Sequence, residues 1–322
     1  MMAFKLFHGT SRTSVSSSPW FPCALYPSSQ KIRYSLSSLL HRRRIRICTK
    51  MSVAEHSPLS HTIGLAVPAQ GGIEEPLQII AEPGISQNEF RDAIESSLFK
   101  QWLKNMQSET GILAQGNMSL KRVLIQGVDM FGKRVGFLKF KADVIDMETG
   151  KKVPSIVFSR GPAVAVLILL DSEGETYAVL TEQARVPVGR LILELPAGML
   201  DDDKGDFVGT AVREVEEETG IHLNLEDMAN LTAFLEPSTG SRVFPSPGGC
   251  DEEISLFLYK GHVKPEVITA LQGKETGLRE HGELIKVHVV PYKKLWRVTA
   301  DAKALMAIAL YEMAKREGLL PS

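Results

Sequence analysis

The stretch Arg213-Glu214-Val215-Glu216-Glu217-Glu218-Thr219-Gly220-Ile221 constrains this chain more than any other. Read as a helix, it sets Glu214, Glu217 and Glu218 at i, i+3 and i+4, on one face. Val208, Ala211, Val212 and Val215 form the adjacent apolar face. Asp206 can cap a helix over Phe207–Thr219, and Gly220 can close it. Three carboxylates on one face repel one another by about a few tenths of a kcal/mol per pair. A bound divalent cation relieves that repulsion, because hard ions such as Mg²⁺ take carboxylate oxygens as ligands. Arg213 lies four residues before Glu217 and can orient that carboxylate through a fork-shaped pair. Charge runs are usually a solvated surface. Here, however, Leu195-Pro196-Ala197-Gly198 ends a strand, and a loop leads from it into the helix.

Around that helix the pattern is mixed. Residues 55–85 are rich in Gly, Pro and Ala and read as a linker with one short strand. Phe90 to Met106 reads as a helix, and Val123–Val128, Val135–Val144 and Ser155–Ser159 as strands, so 86–160 forms a small α+β subdomain. Ala163–Leu170 is a buried strand, and Thr176–Glu182 returns from a turn at Asp171-Ser172-Glu173-Gly174. Further strands are expected at Leu191–Leu195, Leu231–Leu235, Ile254–Tyr259 and Leu284–Val290, with a last helix over Asp301–Lys315. The fold class is therefore α+β, a mixed sheet held between helices, behind a small N-terminal α+β subdomain.

Composition removes several classes. Three cysteines among 322 residues cannot make a disulfide scaffold, and the strongest apolar run, Ala163–Leu170, is too short to span a bilayer. A net charge of −1 gives no footprint for nucleic acid. The average hides a split, since residues 1–54 hold nine Lys/Arg, eleven Ser and no Asp or Glu. That is transit-peptide composition, and the Ser content favours a plastid over a mitochondrion. A start at Met51 would give a cytosolic form.

The segment from Gly198 through Ile221 resembles the Nudix box, a glycine and a glutamate followed by Arg-Glu-hydrophobic-x-Glu-Glu-x-Gly-hydrophobic. The match from Arg213 to Ile221 is complete. Two departures precede it: fourteen residues separate Gly198 from Arg213 where the family has thirteen, and the position of the first box glutamate falls on Gly205, with Asp206 beside it. Pro237, sixteen residues after Ile221, and the element Ser246-Pro247-Gly248-Gly249 are similar to the family's ADP-ribose and ADP-sugar pyrophosphatase branch. The resemblance spans about residues 120–315 and places the Nudix domain at 161–318.

What it implies is specific. The metal ligands become the Ala197 carbonyl, Glu214, Glu217, Glu218 and Glu283, the ion being Mg²⁺ with Mn²⁺ as the alternative. Glu280 is the candidate general base, with Glu283 as its alternative, and Arg213 belongs to the same catalytic group. Arg185 and Arg242 are candidate phosphate contacts, and Glu252 a supporting residue in the substrate site. The implied reaction is hydrolysis of ADP-glucose or ADP-ribose to AMP and a sugar phosphate. A UDP-sugar or other nucleotide pyrophosphatase, or a silent nucleotide-binding domain, is the competing reading. The branch also implies a homodimer with 86–160 at its interface.

Overall fold

The computed structural model describes residues 58–67, 73–200, 206–277 and 282–320. The leader 1–54 and the candidate base Glu280 lie outside the described residues.

A five-stranded sheet forms first, in the order β1 (Ser60–Val67), β2 (Ile73–Ala81), β3 (Met118–Phe131), β4 (Arg134–Asp146), β5 (Ile156–Ser159). The stretch 55–85 is thus not the linker expected; it carries two antiparallel strands. Pro76 hid them, but it lies outside Gln78–Ala81, the part of β2 paired with β3, so its missing N–H costs no ladder bond there. The single helix expected over Phe90 to Met106 is two, α1 (Gln87–Glu95) and α2 (Ser97–Gln107). Ser96 divides them: its N–H closes α1 on the Ala93 carbonyl, and its hydroxyl oxygen accepts from the Phe99 N–H to open α2. Both helices bury apolar faces on the sheet, where the Phe99, Trp102 and Phe140 rings meet with centroids 4.7–5.8 Å apart. Phe140→Ala should cost about 3–5 kcal/mol through the cavity left between those rings. Denaturant unfolding followed by Trp102 fluorescence checks this, and a cost below about 1 kcal/mol would mean the cluster is not packed as described.

The second sheet runs β10 (Met228–Asn230), β11 (Ile254–His262), β6 (Ala163–Ser172), β7 (Glu175–Arg185), β13 (Ile285–Pro291), β12 (Glu275–Thr276). β6 is buried on both sides, which explains its unbroken apolar run. Ala163, Ala165, Leu167 and Leu169 face the helix α6 (Ala302–Arg316), and Val164, Val166, Ile168 and Leu170 face α3 (Phe207–Thr219). Two short helices escaped sequence patterning, α4 (Pro265–Leu271) and α5 (Tyr292–Val298). The strand expected at Leu231–Leu235 is instead a 3₁₀ turn over Leu231–Phe234. Asn230 causes it, its side-chain oxygen accepting from the Ala233 N–H and the Thr232 hydroxyl.

β6 changes partners along its length, and this positions the site. Its C-terminal half pairs with β7, while Ala163–Ala165 pair with β9 (Ala197–Met199). The far end of β7 leaves β6 and pairs with β8 (Arg190–Glu194). The β8–β9 turn then returns the chain to β6, so the ends of β7 and β9 meet over α3.

Candidate active site

α3 begins and ends as its sequence requires. The Asp206 carboxylate accepts from the Gly209 N–H at 2.9 Å, and Gly220 closes the helix at φ +70°. Of its acids, Glu216 is exposed, Glu214 and Glu217 are half-buried, and Glu218 is buried at 7% exposure. The side chains expected to act together therefore turn away from bulk solvent.

Glu218 lies between the ends of two strands. Its Oε1 accepts from Gln183 Nε2 at 2.7 Å and its Oε2 from the Ala197 N–H at 3.1 Å. Burial pushes its carboxyl up to about 8; the two hydrogen bonds oppose that rise, Glu214 adds to it, and Arg185 opposes it. Glu214 reaches the same strand end, its Cδ 1.9 Å from where a Cβ on Gly198 would sit. A side chain at 198 would collide with that carboxylate. Among the described residues, no three His, Cys, Asp or Glu side chains are gathered closely enough to hold an ion. The donor chemistry still fits a hard divalent cation: the Glu214 and Glu218 carboxylates flank one strand end, and burial raises the latter well above the usual carboxylate range.

The C-terminal carbonyls of α3 are capped from β12. The Gly277 N–H donates to the Glu217 carbonyl, the Thr276 hydroxyl to that of Glu218, and Lys274 Nζ to that of Thr219. Glu283 follows that segment on an exposed stretch before β13, and its carbonyl lies 2.8 Å from where a Cβ on Gly277 would sit. Arg213 is exposed on α3.

Arg185 ends β7 and is gripped by Glu194, with Nε to Oε1 at 2.6 Å and Nη2 to Oε2 at 3.0 Å. Arg242 stacks over the Phe207 ring at 4.3 Å, and Glu252 pairs with Arg160 at 3.4 Å. Arg160, Arg242, Phe207, Met199 and Leu200 line a cleft of about 840 Å³ between the two sheets. Sequence reading missed Asp251, whose carboxylate accepts from the Ser159 hydroxyl and the Arg160 and Gly161 N–H groups. It pins the Ser-Pro-Gly-Gly element to the end of β5. It also missed Gln183, Glu194, Asp301 and Lys303; the one available signal was an acid, Glu194, inside an apolar strand.

Among the described residues no helix is long and apolar enough to cross a membrane. The NUDIX domain family model matches residues 159–309. Over 288 residues the chain is 66% identical to "Nudix hydrolase 14, chloroplastic" of Arabidopsis thaliana, covering 89% of this chain and 92% of that protein. It is 31% identical over 189 residues to "Methanol dehydrogenase activator" of Bacillus methanolicus, covering 59% of this chain and 91% of that one. It is also 31% identical over 199 residues to "ADP-ribose pyrophosphatase" of Bacillus subtilis (strain 168), covering 61% and 95%. Matched along nine-tenths or more of these relatives, and built on a helix with the box spacing, this chain belongs to the Nudix hydrolase family.

Proposed function

We propose that this enzyme hydrolyses the diphosphate of ADP-sugars, ADP-glucose and ADP-ribose among them, to AMP and a sugar phosphate, with Mg²⁺ as its ion. The observation that carries the reading is Glu218, a carboxylate buried beside the half-buried Glu214 at the strand end Ala197-Gly198 and raised by that burial. Nudix hydrolases generally use divalent ions. Here the Ala197 carbonyl, Glu214, Glu217, Glu218 and Glu283 would hold them. When bound, the ions supply charge neutralisation on the diphosphate oxygens and ease deprotonation of the attacking water.

The chain's own residues do the rest. Gln183 and the Ala197 N–H hold the Glu218 carboxylate in place. Arg185 meets a phosphate with the edge that Glu194 leaves open, and Arg213 orients Glu217. Water supplies the oxygen of the new P–O bond as the anhydride P–O bond breaks, and its proton passes to Glu280 or Glu283. The cleft beside Met199 and Leu200 is large enough for the remainder of the nucleotide-sugar, with Arg242 and Arg160 at its wall and Glu252 paired to Arg160.

The name of the Bacillus subtilis relative supports the substrate class, and that of the Arabidopsis relative, together with the acid-free leader, supports a plastid location. A homodimer through the N-terminal subdomain accords with Met130, Phe131, Ile156 and Phe158, which that subdomain exposes. Turnover on ADP-ribose, ADP-glucose, UDP-glucose, NADH and dATP with MgCl₂, read as AMP by chromatography, tests the substrate class. We expect kcat/KM for the better ADP-sugar to exceed the three others by at least about ten-fold. Faster turnover of UDP-glucose, NADH or dATP overturns it.

A further inference from the structure

Four charged side chains meet behind the end of β8. Glu194 is 4% exposed and accepts from Arg185 through both oxygens and from Lys303 Nζ at 2.8 Å. Lys303, on α6, also donates to Asp301 Oδ1 at 2.9 Å. Asp301 is 7% exposed, and its other oxygen accepts from the Leu195 N–H at 3.2 Å. The group thus reaches from the C-terminal helix to the residue that begins the turn into Ala197-Gly198.

Its charges balance at two carboxylates and two cations. Glu194 occupies the Nε and Nη2 edge of Arg185, and Nη1 makes no hydrogen bond among the described residues. Were Lys303 neutral, the group would carry a net negative charge within the Coulombic reach of Glu218 that Arg185 already has. A diphosphate would then approach a guanidinium whose charge is consumed behind it. Two buried carboxylates beside one cation are also unfavourable, so Glu194 would release Arg185 or take up a proton.

We propose that Lys303 and Glu194 are positioning residues for diphosphate hydrolysis. Lys303 offsets Glu194 and Asp301, so that Glu194 can fix Arg185 by one edge while its other edge and its positive charge remain for a phosphate. The inference rests on the reading of Arg185 as a phosphate contact. It gives the C-terminal helix a part in the site that no box residue reveals. The competing role is a plain staple between α6 and β8.

Double-mutant cycles separate the two. Kinetics on ADP-ribose and ADP-glucose with saturating MgCl₂ are compared for Arg185→Ala, Lys303→Met, Lys303→Arg and the Arg185→Ala/Lys303→Met pair, with folding checked by thermal unfolding. Arg185→Ala should lower kcat/KM by roughly 100-fold and Lys303→Met by roughly 10-fold. The pair should lie within about three-fold of Arg185→Ala alone, because both changes remove one function. Lys303→Arg, which keeps the charge, should recover activity to within about five-fold of wild type. Multiplying losses would make Lys303 a staple and overturn the inference. An unaffected Arg185→Ala would instead overturn the phosphate role of Arg185 itself, and the inference with it. If Lys303→Met does not fold, Glu194→Gln in the same cycle asks the same question with an isosteric change, and the same two outcomes decide it.

Discussion

Glu218→Gln should lose at least about a thousand-fold in kcat on ADP-sugars while the chain remains folded. The amide has the shape of the acid, so the side chain can keep its place between Gln183 and the Ala197 N–H with modest rearrangement. What it cannot supply is a negative charge for a divalent ion. Stability should move the other way. In the metal-free protein the Glu218 carboxyl is pushed up to about 8 by burial, above its ordinary value of 4.5. A group raised on folding contributes stability that is full below its unfolded value and is lost as pH rises through its folded one. Metal-free wild type should therefore weaken between about pH 4.5 and 8, relative to a variant with no proton to lose there. The difference in Tm between Glu218→Gln and wild type, measured in EDTA, should be small at pH 5 and favour the variant by several degrees at pH 8.5. Adding MgCl₂ at pH 8.5 should raise wild-type Tm and leave the variant nearly unmoved. Wild-type kcat in the variant would remove Glu218 from the metal site. A Tm difference that does not change with pH would mean that burial is not acting on this carboxyl.

The parts of the site that could be read from the sequence are those written in local spacing. Glu214, Glu217 and Glu218 share a face because a helix repeats every 3.6 residues, and Asp206 and Gly220 mark its ends by cap chemistry that acts within one turn. Ala163–Leu170 could be placed in a sheet centre because no polar residue interrupts it. Contacts formed across the fold left no such trace. Gln183 meets Glu218 through the divergence of β7 from β6, and Lys303 meets Glu194 because the first turn of α6 reaches the end of β8. Neither pairing has a period in the chain. Asn230 and Pro76 misled in the opposite sense, each being a local signal whose outcome depended on neighbours: a cap that turned an expected strand, and a proline outside the doubly paired part of its strand. Glu280 rests on the family resemblance alone, since it lies outside the described residues.

Gly198→Ala should reduce kcat by about a hundred-fold or more at little cost in stability. The added Cβ would sit 1.9 Å from Glu214 Cδ, 2.1 Å from Oε1 and 2.3 Å from Cγ, so the two groups cannot both stay. Gly198 lies in strand β9, where alanine meets no backbone penalty, and the obstacle is the Glu214 side chain rather than backbone. The glutamate should therefore swing aside and the strand hold, giving a Tm within about 3 °C of wild type. Gly127→Ala is the control; its Cβ would meet only Lys139 Cβ at 3.7 Å, and its activity should stay within about two-fold. The cause can be isolated in a Glu214→Ala background. If the alanine acts by displacing Glu214, it should cost little once that carboxylate has gone, and the two changes should be far from additive. Additive losses would mean that residue 198 matters through its backbone instead. Full activity in Gly198→Ala would mean that the Glu214 carboxylate is not needed where this structure holds it.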